Sequence, residues 1–518
     1  MTVSEMLARN GRMYPDDTAL IELKPSAGLR KEITWKQFDE RANRVANALI
    51  ERGIKKGDKV IHWMTNSINW LEAYFGIIRT GAWVVPLNFR FNERDFKYCA
   101  EIAEAKAIIL GEQFIAPVQA ARPHLPTIEH YIVVGDTVPE GMESFEAVVK
   151  AASPEPVEIE LKGSDECGLY FTSGTTGSPK PILLTHQNME CAAVTESHHH
   201  RQQKEDNFIL IPPLYHTGSK MHWFGSLVVG GKATLLTEIS PQIILETVDR
   251  EKGSIVWLLV PWAQDILTAL DSGELKKEDY DLSRWRLMHI GAQPVPPSLI
   301  KHWKQHFPDM QYDTNYGLSE STGPGCVHLG IENEHKVGAI GQPGFNWETR
   351  IVDAKGNDVA KGKIGELLVR GDGVMKEYYK NPQKTKETLK DGWLYTGDMA
   401  REDEDCFIYL VDRKKDLVIT GGENIYPVEV EDTIHKHPEV YDVGVIGIPD
   451  ERLGEIALAV IDPKPGATLT EDEIMKFCEK NLPRYKRPRR IVFDKVSRNP
   501  TGKIEKPKLR QKYTRPGG

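Results

Sequence analysis

A short stretch, residues 170–180, ends a run of apolar residues and combines hydroxyls, glycines and one lysine in the order Tyr-Phe-Thr-Ser-Gly-Thr-Thr-Gly-Ser-Pro-Lys. Glycine adopts backbone conformations that are closed to other residues, so Gly174 and Gly177 allow amide N–H groups to converge on an anion. Lys180 adds a positive charge. The stretch predicts a phosphate-binding loop, with hydroxyl donors at Thr172, Ser173, Thr175 and Thr176.

The loop does not fit the Walker pattern. Counted from Gly174, that pattern needs glycine at position 179, where Pro179 stands. It also needs a helix that begins at the lysine, and Pro181 opposes such a helix. Typical nucleoside-triphosphatase chemistry is therefore not expected. Taken alone, a loop rich in Ser, Thr and Gly is more often simply a loop, so the prediction depends on its neighbours.

Helix and strand patterns alternate through the first part of the chain, which predicts parallel sheets covered by helices. Residues 34–52 have apolar side chains at helical spacing, with Thr34 and Gln37 suited to a capping box and Gly53 to the C-terminal stop. Ligands of open parallel sheets gather at the carboxyl ends of the strands, where the loops 172–180 and 291–294 fall. Further strands are predicted at 58–64, 82–87, 208–211, 233–236, 255–260 and 287–290, and further helices at 67–80, 241–252 and 297–306.

The pattern changes to short strands and turns from Ile351 onward. A compact unit follows a charged cluster at 412–416, and its hundred or so residues are enough for a small separate domain. We predict a domain boundary near 412–415, with one domain over 1–412 and a second over 413–518. The second is predicted to hold helices at 427–437 and 471–481 and strands at 443–448, 456–461 and 490–493.

Length and composition set broad limits. The chain has 518 residues, more than one hydrophobic core usually organises, so at least two domains are expected. No window resembles a membrane span or a signal segment, which predicts a cytoplasmic location. The six cysteines lie far apart without a Cys-x-x-Cys pair, which favours reduced thiols. For His198, His199 and His200, a solvated polar segment is expected rather than a metal site, because adjacent residues point in different directions.

The net charge of −9 conceals a basic tail: from Leu482 onward there are 13 Lys and Arg against two acidic residues. Such a tail suits nucleic acid, a plain solvated surface or a face that binds an anionic cosubstrate. Composition does not separate these three interpretations.

Five stretches of the chain, taken in order, resemble the signature set of the adenylate-forming superfamily, which includes acyl- and aryl-CoA synthetases, peptide-synthetase adenylation domains and beetle luciferases. The resemblance covers about residue 5 to about residue 512. It implies an α/β fold: a large N-terminal domain of several helix-covered sheets with a small barrel-like β subdomain, and a small mobile α+β C-terminal domain. The stretches are 170–180, Asn-Tyr-Gly-Leu-Ser-Glu at 315–320, Tyr-Thr-Gly-Asp at 395–398, Asp-Arg-Lys-Lys-Asp at 412–416 and Asn-Pro-Thr-Gly-Lys at 499–503.

The resemblance assigns ATP to the N-terminal domain. It implies that the loop 172–180 holds the β- and γ-phosphates, that Ser319 contacts phosphate and that Glu320 helps bind Mg²⁺, a cation that prefers oxygen ligands. Without the resemblance, the alternative interpretation of Glu320 is a residue that caps a helix. The implied nucleotide-binding positions are Thr172, Ser173, Gly174, Thr175, Thr176, Gly177, Lys180, Asn315, Tyr316, Gly317 and Ser319.

The adenosine part of ATP is assigned in the same way. Tyr316 is expected to stack on adenine, opposite a wall formed by Gly291, Ala292 and Gln293. Asp398 is expected to accept the ribose hydroxyls, with Arg413 assisting at the ribose or phosphate. The plain alternatives are a core aromatic for Tyr316 and a turn residue for Asp398.

The C-terminal assignments concern the two half-reactions. The resemblance implies that Lys503 bridges the substrate carboxylate and the α-phosphate, although by spacing alone it is an exposed tail lysine. Lys415 matches the hinge about which the small domain rotates, and Gly421 and Gly422 belong to the segment that then lies beside the pantetheine arm. The basic tail thereby gains coenzyme A phosphates as partners, and nucleic acid becomes unnecessary.

The acid is expected to be an uncharged acyl or aryl chain. The stretch 214–224 resembles the wall of the acyl pocket, with His216 as its aromatic gate, and it contains no carboxylate to hold an ammonium group. Trp223, Trp262 and Leu318 are candidate apolar lining. Two positions depart from the family pattern: Pro181 follows Lys180 where glycine is usual, and Ser319 replaces the commoner threonine.

Together these features predict an AMP-forming carboxylic acid:CoA ligase that uses ATP, Mg²⁺ and coenzyme A. A homodimer is an expectation at the level of the family. No carrier module is expected after Gly518. The alternative is a stand-alone adenylation enzyme or a luciferase-like enzyme with a non-CoA acceptor, and a third interpretation is a nonenzymatic nucleotide sensor.

Overall fold

The computed structural model describes residues 1–172, 179–291, 295–421, 423–498 and 504–514, without the side chain of Pro324. The α-helices in these ranges are α1 (Val3–Met13), α2 (Trp35–Glu51), α3 (Ile68–Arg79), α4 (Glu93–Ala103), α5 (Ile115–Ala121), α6 (Phe145–Ala151), α7 (His186–His199), α8 (Thr217–Val229), α9 (Pro241–Glu251), α10 (Val260–Asp271), α11 (Pro297–His306), α12 (Pro382–Thr388), α13 (Pro427–His435), α14 (Glu471–Asn481) and α15 (Lys506–Tyr513). None of these helices is long and apolar enough to cross a membrane.

The strands of the same ranges are β1 (Thr18–Lys24), β2 (Leu29–Thr34), β3 (Lys59–Trp63), β4 (Trp83–Pro86), β5 (Ala107–Gly111), β6 (His130–Val134), β7 (Glu143–Ser144), β8 (Glu166–Thr172), β9 (Lys180–Thr185), β10 (Asn207–Leu210), β11 (Lys232–Leu236), β12 (Ile255–Leu259), β13 (Leu287–Gly291), β14 (Gln311–Asp313), β15 (Asn315–Leu318), β16 (Gly323–His328), β17 (Gln342–Pro343), β18 (Trp347–Val352), β19 (Gly365–Gly371), β20 (Glu377–Tyr378), β21 (Leu389–Lys390), β22 (Trp393–Glu402), β23 (Ile408–Arg413), β24 (Val418–Thr420), β25 (Glu423–Ile425), β26 (Val440–Asp450), β27 (Gly454–Pro463) and β28 (Arg490–Phe493).

Two large, mostly parallel sheets form the framework. One has the strand order β14-β13-β12-β10-β11-β1-β2 and the other β20-β9-β8-β4-β3-β5-β6-β7. The same buried cluster takes in side chains from both sheets and from α2, α3, α7 and α8, including Phe38, Phe75 and Trp223, whose rings contact one another. The sheets therefore share a core, as expected for helix-covered parallel strands.

The predicted helix at 34–52 is confirmed. It runs over Trp35–Glu51, and the side chain of Thr34 accepts from the backbone N–H of Gln37 while the Gln37 side chain accepts from that of Thr34. This is the predicted capping box, which satisfies two N–H groups that a helix start leaves without partners. The other predicted strands and helices of this region also form, with ends that differ by one or two residues.

Antiparallel strands follow the parallel sheets. β15, β16 and β17 form a three-stranded sheet, and β18, β19, β22, β21 and β23 form a five-stranded one. A bridge between Gly341 and Ile408 joins the end of the first to the second. Together with the shared core of the parallel sheets, this arrangement confirms the predicted fold class, including a separate β subdomain.

The last hundred residues form a small α+β unit. β25, β24, β27 and β26 pair antiparallel, β28 pairs parallel with β27, and α13 and α14 pack against them over a separate apolar cluster. β23 ends at Arg413 and β24 begins at Val418, so the predicted boundary near 412–415 falls in or beside the connecting turn. The division into 1–412 and 413–518 stays a prediction.

The stretch that opened the sequence analysis links β8 to β9. Thr172 pairs with Lys180 across an antiparallel ladder, so the lysine begins a strand rather than a helix. This confirms that the loop is not of the Walker type. Thr172 and Lys180 are its described ends, whereas Ser173, Gly174, Thr175, Thr176 and Gly177 lie outside the described residues.

Candidate active site

Glu320 lies in a helical turn, Ser319–Ser321, directly after β15. Tyr378 Oη donates a hydrogen bond to Glu320 Oε1 at 2.7 Å, and the N–H of Met375 donates to the Glu320 carbonyl at 2.8 Å. Tyr378 belongs to β20, which pairs with β9 through Ile182. A carboxylate is thereby fixed beside the strand that leaves the predicted phosphate loop.

Ser319 and the start of α8 lie together. The Thr217 hydroxyl donates to Ser319 Oγ at 3.5 Å. Gly323 makes this approach possible: its φ is +98°, and a Cβ there would meet the N of Gly218 at 2.9 Å. His216 immediately precedes α8, and its ring lies against that of Tyr215 at 4.3 Å. The predicted acyl-gate histidine and the predicted phosphate-contacting serine are therefore neighbours.

Asp398 joins three strands. Its carboxylate accepts from Tyr316 Oη at 2.5 Å and pairs with Arg413 Nε at 2.5 Å. Asp398 and Arg413 are directly opposite in the ladder between β22 and β23, which explains the contact. Burial, followed by the charge of Asp398, raises the pKa of Tyr316 well above its ordinary value, so the phenol stays a donor.

Asp398 is 4% and Tyr316 7% exposed. Tyr316 also packs in an apolar cluster with Trp347 and Val327, so part of its ring serves the core, as the plain alternative expected. A carboxylate has about four acceptor sites, and two are used here, so Asp398 retains capacity for hydroxyl donors. Glu366 holds the preceding turn, because it accepts from the N–H of Gly397 and pairs with Lys414 Nζ.

Asn315 connects this region to a buried cluster of ionisable groups. Its amide nitrogen is 3.0 Å from Glu196 Oε1 and 2.9 Å from His222 Nε2. We call Glu196, His200, His222, His289, Asp313 and His328 the histidine cluster; each is at most 2% exposed. Sequence reasoning missed this cluster, because its members come from five different elements or their ends.

Charges are unevenly distributed in the histidine cluster. Burial lowers the pKa of His222 to about 3, against the opposing charge of Glu196. Burial also acts to lower the pKa of His328, but the charges of Glu196 and Asp313 outweigh it and raise that pKa to about 9. The two buried carboxylates therefore favour a positive charge at His328.

The expectation for the three consecutive histidines is wrong at one position. His198 is exposed and stacks on Phe345, and His199 is half-buried. His200, however, is fully buried beside Asp313 and Glu196. The three rings do point in different directions, as predicted. His200 is shielded from solvent because Asp313 and His328, which lie more than a hundred positions later in the chain, pack against it.

The remaining predicted residues are placed as follows. Gly291 ends β13, and a Cβ there would meet no atom of the described residues within 4 Å. Gly317 lies in β15 beside Tyr316. Lys415 is exposed between β23 and β24, and Gly421 turns with φ +57°. Ala292, Gln293, Gly422 and Lys503 lie outside the described residues.

The candidate acyl-pocket residues differ in their surroundings. Trp223 is fully buried and packs on Phe38 and Phe75, so it contributes to the shared core. Trp262 and Leu318 are partly buried at the edges of two other apolar clusters. On α8 the side chains that meet polar partners are Lys220, with its Nζ 3.2 Å from the His216 carbonyl, and His222.

Two family models match the chain: AMP-binding enzyme over residues 7–379, and AMP-binding enzyme C-terminal domain over residues 429–503. The chain belongs to the AMP-binding enzyme family. The similarity extends over full length: a feruloyl-CoA synthase of Amycolatopsis sp. is 31% identical over 510 residues, which cover 98% of each chain.

Solved structures of the family agree with the fold. The anthranilate CoA ligase AuaEII, in complex with anthranoyl-AMP, matches with a TM-score of 0.89 at 27% identity. The match covers 99% of this chain and 97% of the AuaEII chain. ATP-bound MatB from Rhodopseudomonas palustris matches with a TM-score of 0.89 at 28% identity and covers 99% of both chains. These findings confirm the prediction of an AMP-forming acyl-CoA synthetase, with an acid, ATP and coenzyme A as substrates.

Replacing Gly323 with alanine tests the packing of α8 on the turn that carries Ser319. We expect Gly323→Ala to lower adenylate formation by ~100-fold, because the new Cβ displaces Thr217 and Gly218 and a shift of about 1 Å near reacting groups has that effect. Pyrophosphate exchange measures it. Gly273→Ala is the matched control: φ is +72° there, so backbone strain of about 1 kcal/mol is added, but no atom lies within 4 Å. Equal activity of the two variants would contradict the packing argument.

Replacing Asp398 with asparagine tests the ribose assignment. Asp398→Asn keeps the size of the side chain but removes the charge that Arg413 and Tyr316 share. We expect the KM for ATP to rise by ~10- to 100-fold, the range for hydrogen bonds to charged groups. Asp358→Asn is the control, because Asp358 pairs with Arg350 at 2.7 Å on the surface of the same sheet. An unchanged KM in Asp398→Asn would refute the role.

Proposed function

We propose that this acid:CoA ligase acts on a fatty or aryl acid whose chain carries no charge. We also propose that the residues described above carry out its two half-reactions. In the first, a carboxylate oxygen of the acid attacks the α-phosphorus of ATP, the bond to the β-phosphate breaks and pyrophosphate leaves. In the second, the sulfur of coenzyme A attacks the acyl carbon, the thiol proton is lost and AMP leaves. The arrangement of Asp398, Tyr316 and Arg413 is the observation that carries the nucleotide assignment.

The ribose is proposed to bind at Asp398. This carboxylate is already oriented by Tyr316 and Arg413, so its remaining acceptor sites need no rearrangement when two hydroxyls arrive. Arg413 has a fixed fork of donors, and only its Nε is committed to Asp398 by the contact described. Its outer nitrogens are then available for the ribose or the α-phosphate.

Mg²⁺ is proposed to bind at Glu320. One oxygen of the carboxylate is held by Tyr378, the other accepts no hydrogen bond from the described residues, and Ser319 immediately precedes Glu320 in the same turn. Such an all-oxygen donor set, with room for water and phosphate, fits Mg²⁺. When bound, the ion neutralises charge on phosphate oxygens. Tyr378 keeps Glu320 in one orientation, since burial and the adjacent carboxylate raise the pKa of Tyr378 above its ordinary value.

The first half-reaction is proposed to need Lys503, a point charge on a flexible stem that can reach developing charge. Support comes from the Asn-Pro-Thr-Gly-Lys sequence, since Lys503 itself lies outside the described residues. The second half-reaction is proposed to follow rotation of the small domain about Lys415. Asp416, next to it, pairs with Arg510 of α15 at 2.8 Å, so the hinge is tied to the last described helix.

The acyl or aryl chain of the acid is proposed to be uncharged, because residues 214–224 contain no carboxylate that could pair with an ammonium group. His216 is proposed as the gate, since it lies at the start of α8 beside Ser319. A homodimer and a cytoplasmic location also stay predictions.

Lys503→Ala is expected to lower adenylate formation by at least ~100-fold, the usual loss when one group that stabilises developing charge is removed. ATP binding should change little, and a synthetic acyl-adenylate with coenzyme A should still give thioester. Pyrophosphate exchange, ATP titration and thioester assay measure these three outcomes. Lys508→Ala is the matched control, since Lys508 is an exposed lysine on α15 that pairs only with Glu505 in the contacts described. Undiminished exchange in Lys503→Ala would refute the assignment.

A panel of short, medium, long and aryl acids tests the substrate class. With ATP, Mg²⁺ and coenzyme A, we expect AMP and a CoA thioester from uncharged members and little product from amino acids. Chromatography of thioesters and AMP measures this. Pyrophosphate exchange without thioester would point to a stand-alone adenylation enzyme, and turnover that depends on oxygen would point to a luciferase-like enzyme.

A further inference from the structure

The histidine cluster contains nitrogen and oxygen atoms at the spacing of metal ligands. Asp313 Oδ2 lies 3.2 Å from His200 Nε2 and 3.2 Å from His328 Nδ1. His289 Nδ1 lies 3.1 Å from the same His200 nitrogen and 3.7 Å from the same Asp313 oxygen. Ligands at about 2.0–2.1 Å from a tetrahedral Zn²⁺ are separated by about 3.3 Å, which matches these distances.

Hydrogen bonds alone do not account for this arrangement. His200 Nε2 has Asp313 Oδ2 at 3.2 Å, His289 Nδ1 at 3.1 Å and Glu196 Oε2 at 3.5 Å. One ring nitrogen carries at most one hydrogen, so it can serve only one of these three atoms. Glu196 Oε2 is fully buried and accepts no hydrogen bond within the part of the chain that the structure describes. Such a carboxylate oxygen is costly unless a cation compensates it.

The charge count leads to the same conclusion. Glu196 and Asp313 bring two negative charges into a region at most 2% exposed, and their described partners are imidazoles, an amide and the N–H of Gly330. A divalent cation with neutral imidazoles gives a net charge of zero, which avoids most of the desolvation cost.

The groups around these ligands are arranged to hold them. Asp313 Oδ1, the oxygen that faces away from His200, accepts from the N–H of Gly330 at 3.0 Å. Glu196 Oε1 accepts from Asn315, so Glu196 Oε2 is turned toward His200. Contacts of this kind orient ligands in protein metal sites. His200 follows α7, and the others come from β13, β14 and β16, so the ligand set is fixed by rigid elements.

We propose that His200, His328 and Asp313 bind a divalent transition metal ion of the Zn²⁺ class, with His289 or Glu196 completing the coordination. The site is separate from the Mg²⁺ position proposed at Glu320, and it does not depend on the acid or acceptor that the enzyme uses. Nitrogen ligands favour Zn²⁺ over Mg²⁺. Because β13 leads to Gly291 and Asn315 precedes Tyr316, the metal would brace the base of the nucleotide site.

The metal content of the full-length protein, prepared without a histidine tag, tests the proposal. We expect about one equivalent of Zn²⁺ per chain by elemental analysis, retained through gel filtration and removed by a strong chelator, as for other structural sites. Removal should lower the thermal midpoint and re-addition of Zn²⁺ alone should restore it. Reconstitution with Co²⁺ should give the visible absorption of a tetrahedral nitrogen and oxygen site, a readout that needs no variant.

His200→Asn is expected to abolish stoichiometric metal binding. The control is the double variant His302→Ala and His306→Ala, which removes an exposed cluster with Asp271 whose ligand atoms are also close together. The control should keep the metal and the cobalt spectrum. Wild-type protein that takes up neither Zn²⁺ nor Co²⁺ would overturn the proposal, because hydrogen bonds rather than a metal ion would then hold the cluster together. Loss of the metal in the surface double variant but not in His200→Asn would also overturn it.

Discussion

The pairing of Asp398 with Tyr316 and Arg413 is the interaction on which the proposed nucleotide site depends. A nearly buried carboxylate must find donors, since its desolvation otherwise costs several kcal/mol. Here the donors come from β15 and β23, so contacts to one carboxylate on β22 fix the positions of these three strands relative to one another. Glu320 follows the same rule, with Tyr378 as its donor. The two carboxylates that the chemistry needs are therefore held before any substrate arrives.

The two halves of the N-terminal domain contribute different chemistry. The parallel sheets contribute Thr172, Lys180 and Gly291, which belong to the stretches proposed to bind phosphate and the flat face of a base. The antiparallel strands supply carboxylates and the guanidinium of Arg413, which suit hydroxyls, cations and phosphate oxygens. β20 connects the halves, because it pairs with β9 and at the same time presents Tyr378 to Glu320. The contact between Thr217 and Ser319 provides a second connection.

The sequence predicted what local patterns determine. The capping box at Thr34, the lack of a Walker-type helix at Lys180 and the succession of helices and strands follow from spacing, hydroxyl caps and proline, which act within a few residues. The resemblance supplied Asp398, Tyr316, Arg413 and Glu320, but not Tyr378, which holds Glu320, or Glu366, which holds the turn before Asp398. Tyr378 and Glu366 were missed because each acts on a partner that folding alone brings near. Glu320 is 58 positions from Tyr378. His200 shows the same limit: the directions of adjacent rings are local, but burial is decided by Asp313 and His328.

The hairpin of β8 and β9 has an electrostatic consequence. In a Walker site a helix begins at the loop, and its macrodipole places a permanent partial positive charge against the phosphates. Here a strand begins at Lys180, and strands contribute little net dipole. At the proposed phosphate loop, attraction for a triphosphate then depends on side-chain cations such as Lys180, which counterions screen. Ionic strength, rather than the backbone field of a helix, then governs how readily the nucleotide is captured.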